Sequence, residues 1–116
     1  GHTCGYVLRH ETEPVCYLAG DTIWYCGVRR NIDRWSPQVI IVNAGGNKFH
    51  LGGHVIMHIP DVLKAMDYAP AATFVATHLE GVNHNQVTRV ALREEVMKCG
   101  KADRIHIPED GEIVEL

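Results

Sequence analysis

Two side chains that commonly bind metal ions each follow a strand-like run in this sequence. Asp21 comes directly after the apolar run 15–19 and a glycine, and His78 directly follows the apolar run 73–77. Ligands of open α/β sheets gather beyond the carboxyl ends of the strands, which is where both side chains are predicted to lie. Carboxylate oxygen and imidazole nitrogen are ordinary ligands of zinc, manganese and iron. The first hypothesis is therefore that Asp21 and His78 meet at one metal site.

Other polar residues are predicted to lie near the same edge. Asn43 ends the continuous apolar run 39–42, which is typical of a central strand covered on both faces. His84 follows His78 closely in the sequence, and we expect His84 and Asn43 to contact substrate. The spacing also fits a simpler interpretation, in which Asp21 caps a helix and His78 is a packed core histidine. A non-catalytic α/β module is therefore the alternative to an enzyme.

The segment 43–59 is rich in glycine and histidine and has no clear periodicity, so it is predicted to be a long loop that serves a site. His50, His54 and His58 recur every four residues, as ligands on one helix face would. Two glycines between them interrupt that pattern and disfavour a helix. A phosphate or nucleotide cradle at 43–47 is a further possibility, although the segment lacks the Lys-Ser/Thr ending of a P-loop.

The elements that must position these residues alternate between strand and helix, which predicts an α/β fold in a single domain over 1–116. An antiparallel hairpin starts the chain, and Thr88 is predicted to cap the last helix. The predicted strands are 4–9, 15–19, 39–42, 73–77 and 104–107, with 112–116 as an edge strand or tail. The predicted helices lie within 24–35, 60–68 and 88–99.

The composition excludes several classes of protein. A net charge of −3 gives no electrostatic footprint for nucleic acid or for a membrane surface. No apolar stretch is long enough to span a bilayer and no signal-peptide pattern is present, so we expect a cytoplasmic protein. The four cysteines have no close pair spacing, which favours reduced thiols, although a Cys4–Cys16 disulfide between neighbouring strands stays possible.

Several motifs resemble one known family. Residues 18–22 (LAGDT) resemble the aspartate motif of the metallo-β-lactamase-fold hydrolases, and residues 75–78 (VATH) resemble the strand that carries their last metal-binding histidine. The stretches IIVNAGG, VATHLEGVNHNQVTRVALR and IHIPEDGE resemble one branch of these enzymes, the metal-dependent hydrolases related to sugar-phosphate lactonases. The resemblance extends over nearly the whole chain.

This resemblance implies a four-layered αββα fold, of which the chain forms half as a mixed sheet with helices on one face. It implies that Asp21 and His78 are catalytic metal ligands of a divalent metal, zinc or manganese. Such a metal lowers the pKa of a bound water, which then attacks a small-molecule lactone, ester, amide or phosphodiester. It also implies that His84 lies near the substrate pocket.

The main metal motif of this family, His-x-His-x-Asp-His, is absent from the chain. The chain therefore resembles the C-terminal half alone, and we expect it to be inactive or nearly so by itself. Half of an αββα sandwich exposes an apolar sheet face, which favours a fragment of a longer protein or a homodimer, with a partner chain as a further possibility. The alternative is a non-catalytic half-fold module that pairs with itself or with a partner chain.

Overall fold

The computed structural model describes residues 4–46, 48–49, 53–54, 56–80 and 87–116. The predicted strands and helices occur in it in the predicted order, with two additional short strands before the second helix, and residues 112–116 form a tail without a strand. The strands are β1 (Tyr6–Leu8), β2 (Cys16–Gly20), β3 (Val39–Asn43), β4 (Lys48–Phe49), β5 (Gly53–His54), β6 (Thr73–Thr77) and β7 (Ile105–His106). The helices are α1 (Cys26–Trp35), α2 (Ile59–Tyr68) and α3 (Arg89–Lys98), with a 3-10 turn at Ala102–Arg104. None of the helices in the described ranges has the length and apolarity that a membrane span requires.

The main sheet has five strands in the order β1-β2-β3-β6-β7. β1 pairs antiparallel with β2, and the other neighbours are parallel, so the predicted mixed sheet of an α/β fold is confirmed. Because β2, β3 and β6 run in one direction, they end at the same edge, which we call the carboxyl edge. β4 and β5 form a separate antiparallel pair, where the sequence predicted only a loop.

The core lies on one face of this sheet. The register places Tyr17 of β2 beside Ile40 of β3, and Ile40 beside Phe74 of β6, all with their side chains on the same face. The buried apolar residues of all three helices belong to the same apolar cluster as these strand residues. The helices therefore cover one face of the sheet, as predicted. Their contributions are Val28, Ile32, Val62, Ala65, Met66, Leu92 and Val96.

The ends of the last helix show which local signals were informative. The side chain of Thr88 accepts a hydrogen bond from the backbone N–H of Ala91 at 3.1 Å, so Thr88 is the N-cap of α3, as predicted. Leu92 and Val96 are buried as the helical period requires. Cys99, the last residue of the predicted helix range 88–99, is the C-cap residue and is exposed.

On the opposite face of the sheet, Val39 and Val75 are buried, but the part formed by β1 and β2 keeps apolar side chains at least partly in contact with solvent. Tyr6 and Leu8 of β1 are 63% and 57% exposed. The register places them beside Leu18 and Cys16 of β2, which are half-buried, and Ile41 of β3 is half-buried on the same face. We call these five residues the open face. Exposure on it is greatest at β1.

Candidate metal site

A chain of hydrogen bonds crosses three parallel strands at the carboxyl edge. The hydroxyl of Thr77, the last residue of β6, donates to the side-chain oxygen of Asn43 at 3.0 Å. The side-chain nitrogen of Asn43, the last residue of β3, donates to Oδ1 of Asp21 at 2.6 Å. Asp21 directly follows β2. The structure therefore brings together Asp21 and Asn43, two of the residues that the sequence singled out.

The chemistry of these partners fixes the orientation of the Asn43 amide. An ionised carboxylate only accepts hydrogen bonds, so Asp21 must face the NH₂ group of Asn43. The amide oxygen of Asn43 then faces the Thr77 hydroxyl, which supplies the proton. Within the described part of the chain, the second oxygen of Asp21, Oδ2, has no hydrogen-bond partner. Asp21 is thus held through one oxygen and presents the other at the exposed edge.

The backbone just before Asp21 has an irregular register, which changes the direction in which this side chain leaves the strand. Leu18 pairs with Ile41, but Gly20 pairs with Val42, so β2 carries one extra residue. Such bulges bend a strand and redirect the side chains that follow it. Gly20 has a φ of +75°, and a Cβ there would lie 3.1 Å from the Cys4 carbonyl oxygen. Glycine is therefore needed at the position from which Asp21 leaves the strand.

His78 directly follows β6 and lies at the same edge as Asp21. β3 is the one strand between β2 and β6, and two strand spacings amount to about 10 Å. The aspartate and imidazole side chains are long enough to converge across that distance. His78 is exposed and has a left-handed backbone, with a φ of +60°.

The simpler interpretation of these two residues does not describe the structure. The N-cap of α1 is Tyr25, and no side chain caps that helix. Asp21 instead accepts its hydrogen bond from Asn43 of the neighbouring strand. His78 is exposed rather than packed in the core. In the structure, Asp21 is therefore not a helix cap and His78 is not a core residue.

The turn that carries His78 is tied to α3 by an ion pair. Arg89 Nη1 donates to Glu80 Oε1 at 2.8 Å, and the Arg89 backbone N–H donates to the same oxygen at 3.2 Å. Arg89 Nη2 donates to Asp110 at 2.6 Å. Burial by itself would lower the pKa of Arg89, but the hydrogen bonds to Glu80 and Asp110 outweigh it and the pKa is raised. No local sequence pattern indicates this ion pair, because its members lie in a turn and in a helix whose packing is set by the fold.

A second carboxylate anchors the segment that follows Asp21. Asp61, in the first turn of α2, is buried and accepts a hydrogen bond from the Trp24 backbone N–H at 3.1 Å. Its Oδ2 lies 3.6 Å from Nδ1 of His58, the residue before α2. The helix within 60–68 was predicted from the sequence, but the contact of Asp61 with Trp24 was not. This contact fixes the path of the chain between the carboxyl edge and α1.

The remaining predicted residues are not gathered at this edge in the described structure. His84 and His50 lie outside the described residues. His54 is in β5 and His58 precedes α2, so neither of these two histidines lies within a helix. Among the side chains that the structure describes, no group of three or more His, Cys, Asp or Glu is placed to hold a metal ion. Asp21 and His78 have suitable donor atoms for zinc or manganese, but two ligands are fewer than such a metal requires.

Known proteins share this sequence and fold over about half of their length. No protein-family model matches the chain. The UPF0173 protein YddR of Bacillus subtilis is 38% identical over 112 residues, which is 97% of this chain and 44% of that protein. The crystal structure of an isothiocyanate hydrolase from Delia radicum gut bacteria has a TM-score of 0.93 and 39% identity, over 97% of this chain and 44% of that one. The chain has the fold of one half of a metallo-hydrolase.

A further solved structure supports the same relationship. A possible metal-dependent hydrolase from Veillonella parvula has a TM-score of 0.91 and 31% identity, over 97% of this chain and 43% of that one. The resemblance seen in the sequence, including its restriction to one half, is therefore confirmed. The coverage agrees with the C-terminal half to which the motifs were assigned.

Proposed function

We propose that this chain supplies two ligands, Asp21 and His78, to the divalent metal of a metal-dependent hydrolase. The observation that carries the proposal is the hydrogen-bond chain from Thr77 through Asn43 to Asp21, with His78 at the same edge. It holds a carboxylate by one oxygen and leaves the other oriented outward. The homology to metal-dependent hydrolases supports the proposal of a metal site at the carboxyl edge.

When bound, the metal supplies an activated water and polarises the substrate. We assign the following roles to residues of this chain. Asp21 and His78 would hold the metal through Oδ2 and the imidazole. Asn43 orients the Asp21 carboxylate, and Thr77 fixes the Asn43 amide in the orientation that donates. His84, together with Asn43, is the predicted contact to substrate.

We further propose that the chain alone is inactive and that the rest of a longer hydrolase completes the site. The relatives are about twice the length of this chain, which spans 44% of YddR. Their remaining part is the occupant that we propose for the open face, and it would bring the missing ligands to the same edge. A homodimer that covers the open face is the other outcome of a test. Residues 1–116 would then be one folding unit within that larger enzyme.

We propose that the substrate is a small molecule with an electrophilic carbon or phosphorus. Lactones, esters, amides and phosphodiesters are the classes implied by the sequence resemblance. The isothiocyanate hydrolase adds the isothiocyanate carbon, which water attacks in the same way. The four cysteines are free thiols in the structure, which fits the proposed cytoplasmic location.

Metal analysis of the longest form of the protein that can be expressed tests the ligand assignment, because Asp21 and His78 alone are fewer ligands than zinc or manganese requires. We expect zinc or manganese in the wild type and a loss of bound metal in both Asp21→Ala and His78→Ala. Asp33→Ala is a matched control, because this exposed aspartate hydrogen-bonds Tyr68 away from the carboxyl edge. Unchanged metal content in either ligand variant would favour the non-catalytic module. Hydrolysis assays on the longest form of the protein that can be expressed then test the substrate classes.

A further inference from the structure

Arg89 is the most heavily bonded side chain next to the candidate site. Its side chain is 13% exposed, which is low for an arginine at the start of a helix. Beyond its bonds to Glu80 and Asp110, its Nε donates to the Pro108 carbonyl at 2.8 Å. Glu109 adds a carboxylate oxygen 3.7 Å from Nε. One guanidinium therefore joins the turn after His78 to the segment 108–110.

The turn that Arg89 holds has an unfavourable backbone. His78 and Glu80 have φ values of +60° and +52°, in the left-handed region that residues with a Cβ rarely adopt. Two such residues within three positions persist only where surrounding contacts hold them. Glu80 receives two such contacts, from the backbone N–H and the guanidinium of Arg89. Hydrogen bonds between charged partners are stronger than those between neutral groups.

We propose that Arg89 is a positioning residue that holds the turn 78–80 so that the His78 imidazole is presented to the carboxyl edge. The same ion pair occupies Glu80 Oε1, which keeps that carboxylate directed toward α3. The contacts to Pro108 and Asp110 anchor Arg89 from the other side. The proposal rests on the proposed function, since it assigns a purpose to the orientation of a metal-binding His78.

The first test needs no metal. Backbone order parameters from NMR relaxation in the metal-free protein report the rigidity of residues 78–80. We expect values near 0.85, typical of rigid backbone, in the wild type and below about 0.6 in Arg89→Met. Glu80→Gln keeps the shape of the side chain, removes its charge and should give an intermediate value. A turn that is equally rigid in Arg89→Met and the wild type overturns the proposal.

Arg93 provides the matched control. It lies one helical turn beyond Arg89, and its Nη2 donates to the Ile107 carbonyl at 2.7 Å and to Glu109 at 3.0 Å. It thus holds the same C-terminal segment but makes no contact with Glu80 among the described residues. Arg93→Met should therefore leave residues 78–80 rigid. If Arg93→Met made residues 78–80 as mobile as Arg89→Met does, the cause would be a general loosening of the C-terminal segment. That result would overturn the proposal.

The second test measures metal affinity by competition with a chromophoric zinc chelator. Removing groups that orient a ligand lowers metal affinity about 10- to 100-fold, which we expect for Arg89→Met and not for Arg93→Met. The double variant Arg89→Met/Glu80→Gln should lose no more than Arg89→Met alone, because both changes break one interaction. Additive losses would overturn the proposal. Failure of the proposed function would appear separately, as metal binding that does not depend on Asp21 or His78.

Discussion

Asn43 joins the candidate ligand Asp21 to the neighbouring strands through both atoms of its amide. Asn43→Ala removes the donor to Asp21 and leaves that carboxylate free to rotate. We expect metal affinity to fall about 10- to 100-fold, with less than about 1.5 kcal/mol lost in the free energy of unfolding. Zinc competition and urea denaturation measure the two quantities.

Asn31→Ala is the control for this prediction. Its side-chain nitrogen donates to the Tyr17 hydroxyl at 3.1 Å, on the helix-covered side of the sheet. The variant should have a comparable effect on stability and no effect on metal affinity. If Asn43→Ala kept the affinity of the wild type, the orienting role of Asn43 would be wrong.

Tyr17 leads to a prediction about pH. It is 2% exposed, and burial raises the pKa of its hydroxyl, while the hydrogen bond from Asn31 offsets part of this rise. Above about pH 10, the ordinary tyrosine value, the unfolded chain releases this proton and the folded chain keeps it. This titration therefore does not reduce the free energy of unfolding below that pH. The free energy of unfolding falls as the pH rises toward the raised pKa of Tyr17 in the folded state.

Urea denaturation of the wild type and Tyr17→Phe between pH 8 and about pH 11 tests this. We expect the wild type to lose more stability over this range, because phenylalanine has no proton to release. Tyr6 and Tyr68 also have raised pKa values, but they are present in both proteins, so the difference reports Tyr17. Equal losses in the two proteins would contradict the prediction.

At the scale of strands and helices, Gly20 determines how β2 ends. Alanine in a left-handed conformation costs about 1–2 kcal/mol, and at Gly20 the added Cβ also lies 3.1 Å from the Cys4 carbonyl. Gly100 has a φ of +69° with nothing within 4 Å of an added Cβ, so Gly100→Ala has the backbone cost alone. We expect Gly20→Ala to destabilise more than Gly100→Ala in urea denaturation. Equal effects would show that the contact with Cys4 relaxes freely.

The sequence predicted these elements well wherever their signals are local. The apolar run 73–77 coincides with β6, and Thr88 is the N-cap that its hydroxyl predicted. The strand ends placed Asp21 and His78 at one edge because parallel strands must end together. The fold class was confirmed for the same reason, since an alternating order of strands and helices admits few arrangements.

Contacts between distant segments could not be predicted from the sequence. The Asn43–Asp21 hydrogen bond depends on the register of β2 against β3 and on the extra residue in β2, which no local pattern indicates. The partners of Arg89 come from the turn after β6 and from the segment after β7. The pair β4–β5 was missed because two-residue strands are too short to show periodicity.

At the scale of the whole molecule, the open face determines how the chain behaves alone. Tyr6 and Leu8 would be covered by the rest of a longer hydrolase, so we expect the isolated chain to self-associate through them. Leu8→Glu should reduce this association, measured as mass by light scattering over a range of concentrations. Met97→Glu is the control, because Met97 is 70% exposed but lies on α3. A monomer at every concentration would contradict self-association through the open face.

The position of β3 between the two candidate ligands has a thermodynamic consequence. An ion bound by Asp21 and His78 would connect β2 to β6, two strands that do not pair with each other. Because the unfolded chain cannot keep that bridge, occupancy would favour the folded form by mass action. A free cation at a hundred times its dissociation constant adds about 2.7 kcal/mol. The melting temperature would then rise with the cation supply, so that the heat resistance of this fold would depend on the availability of its metal.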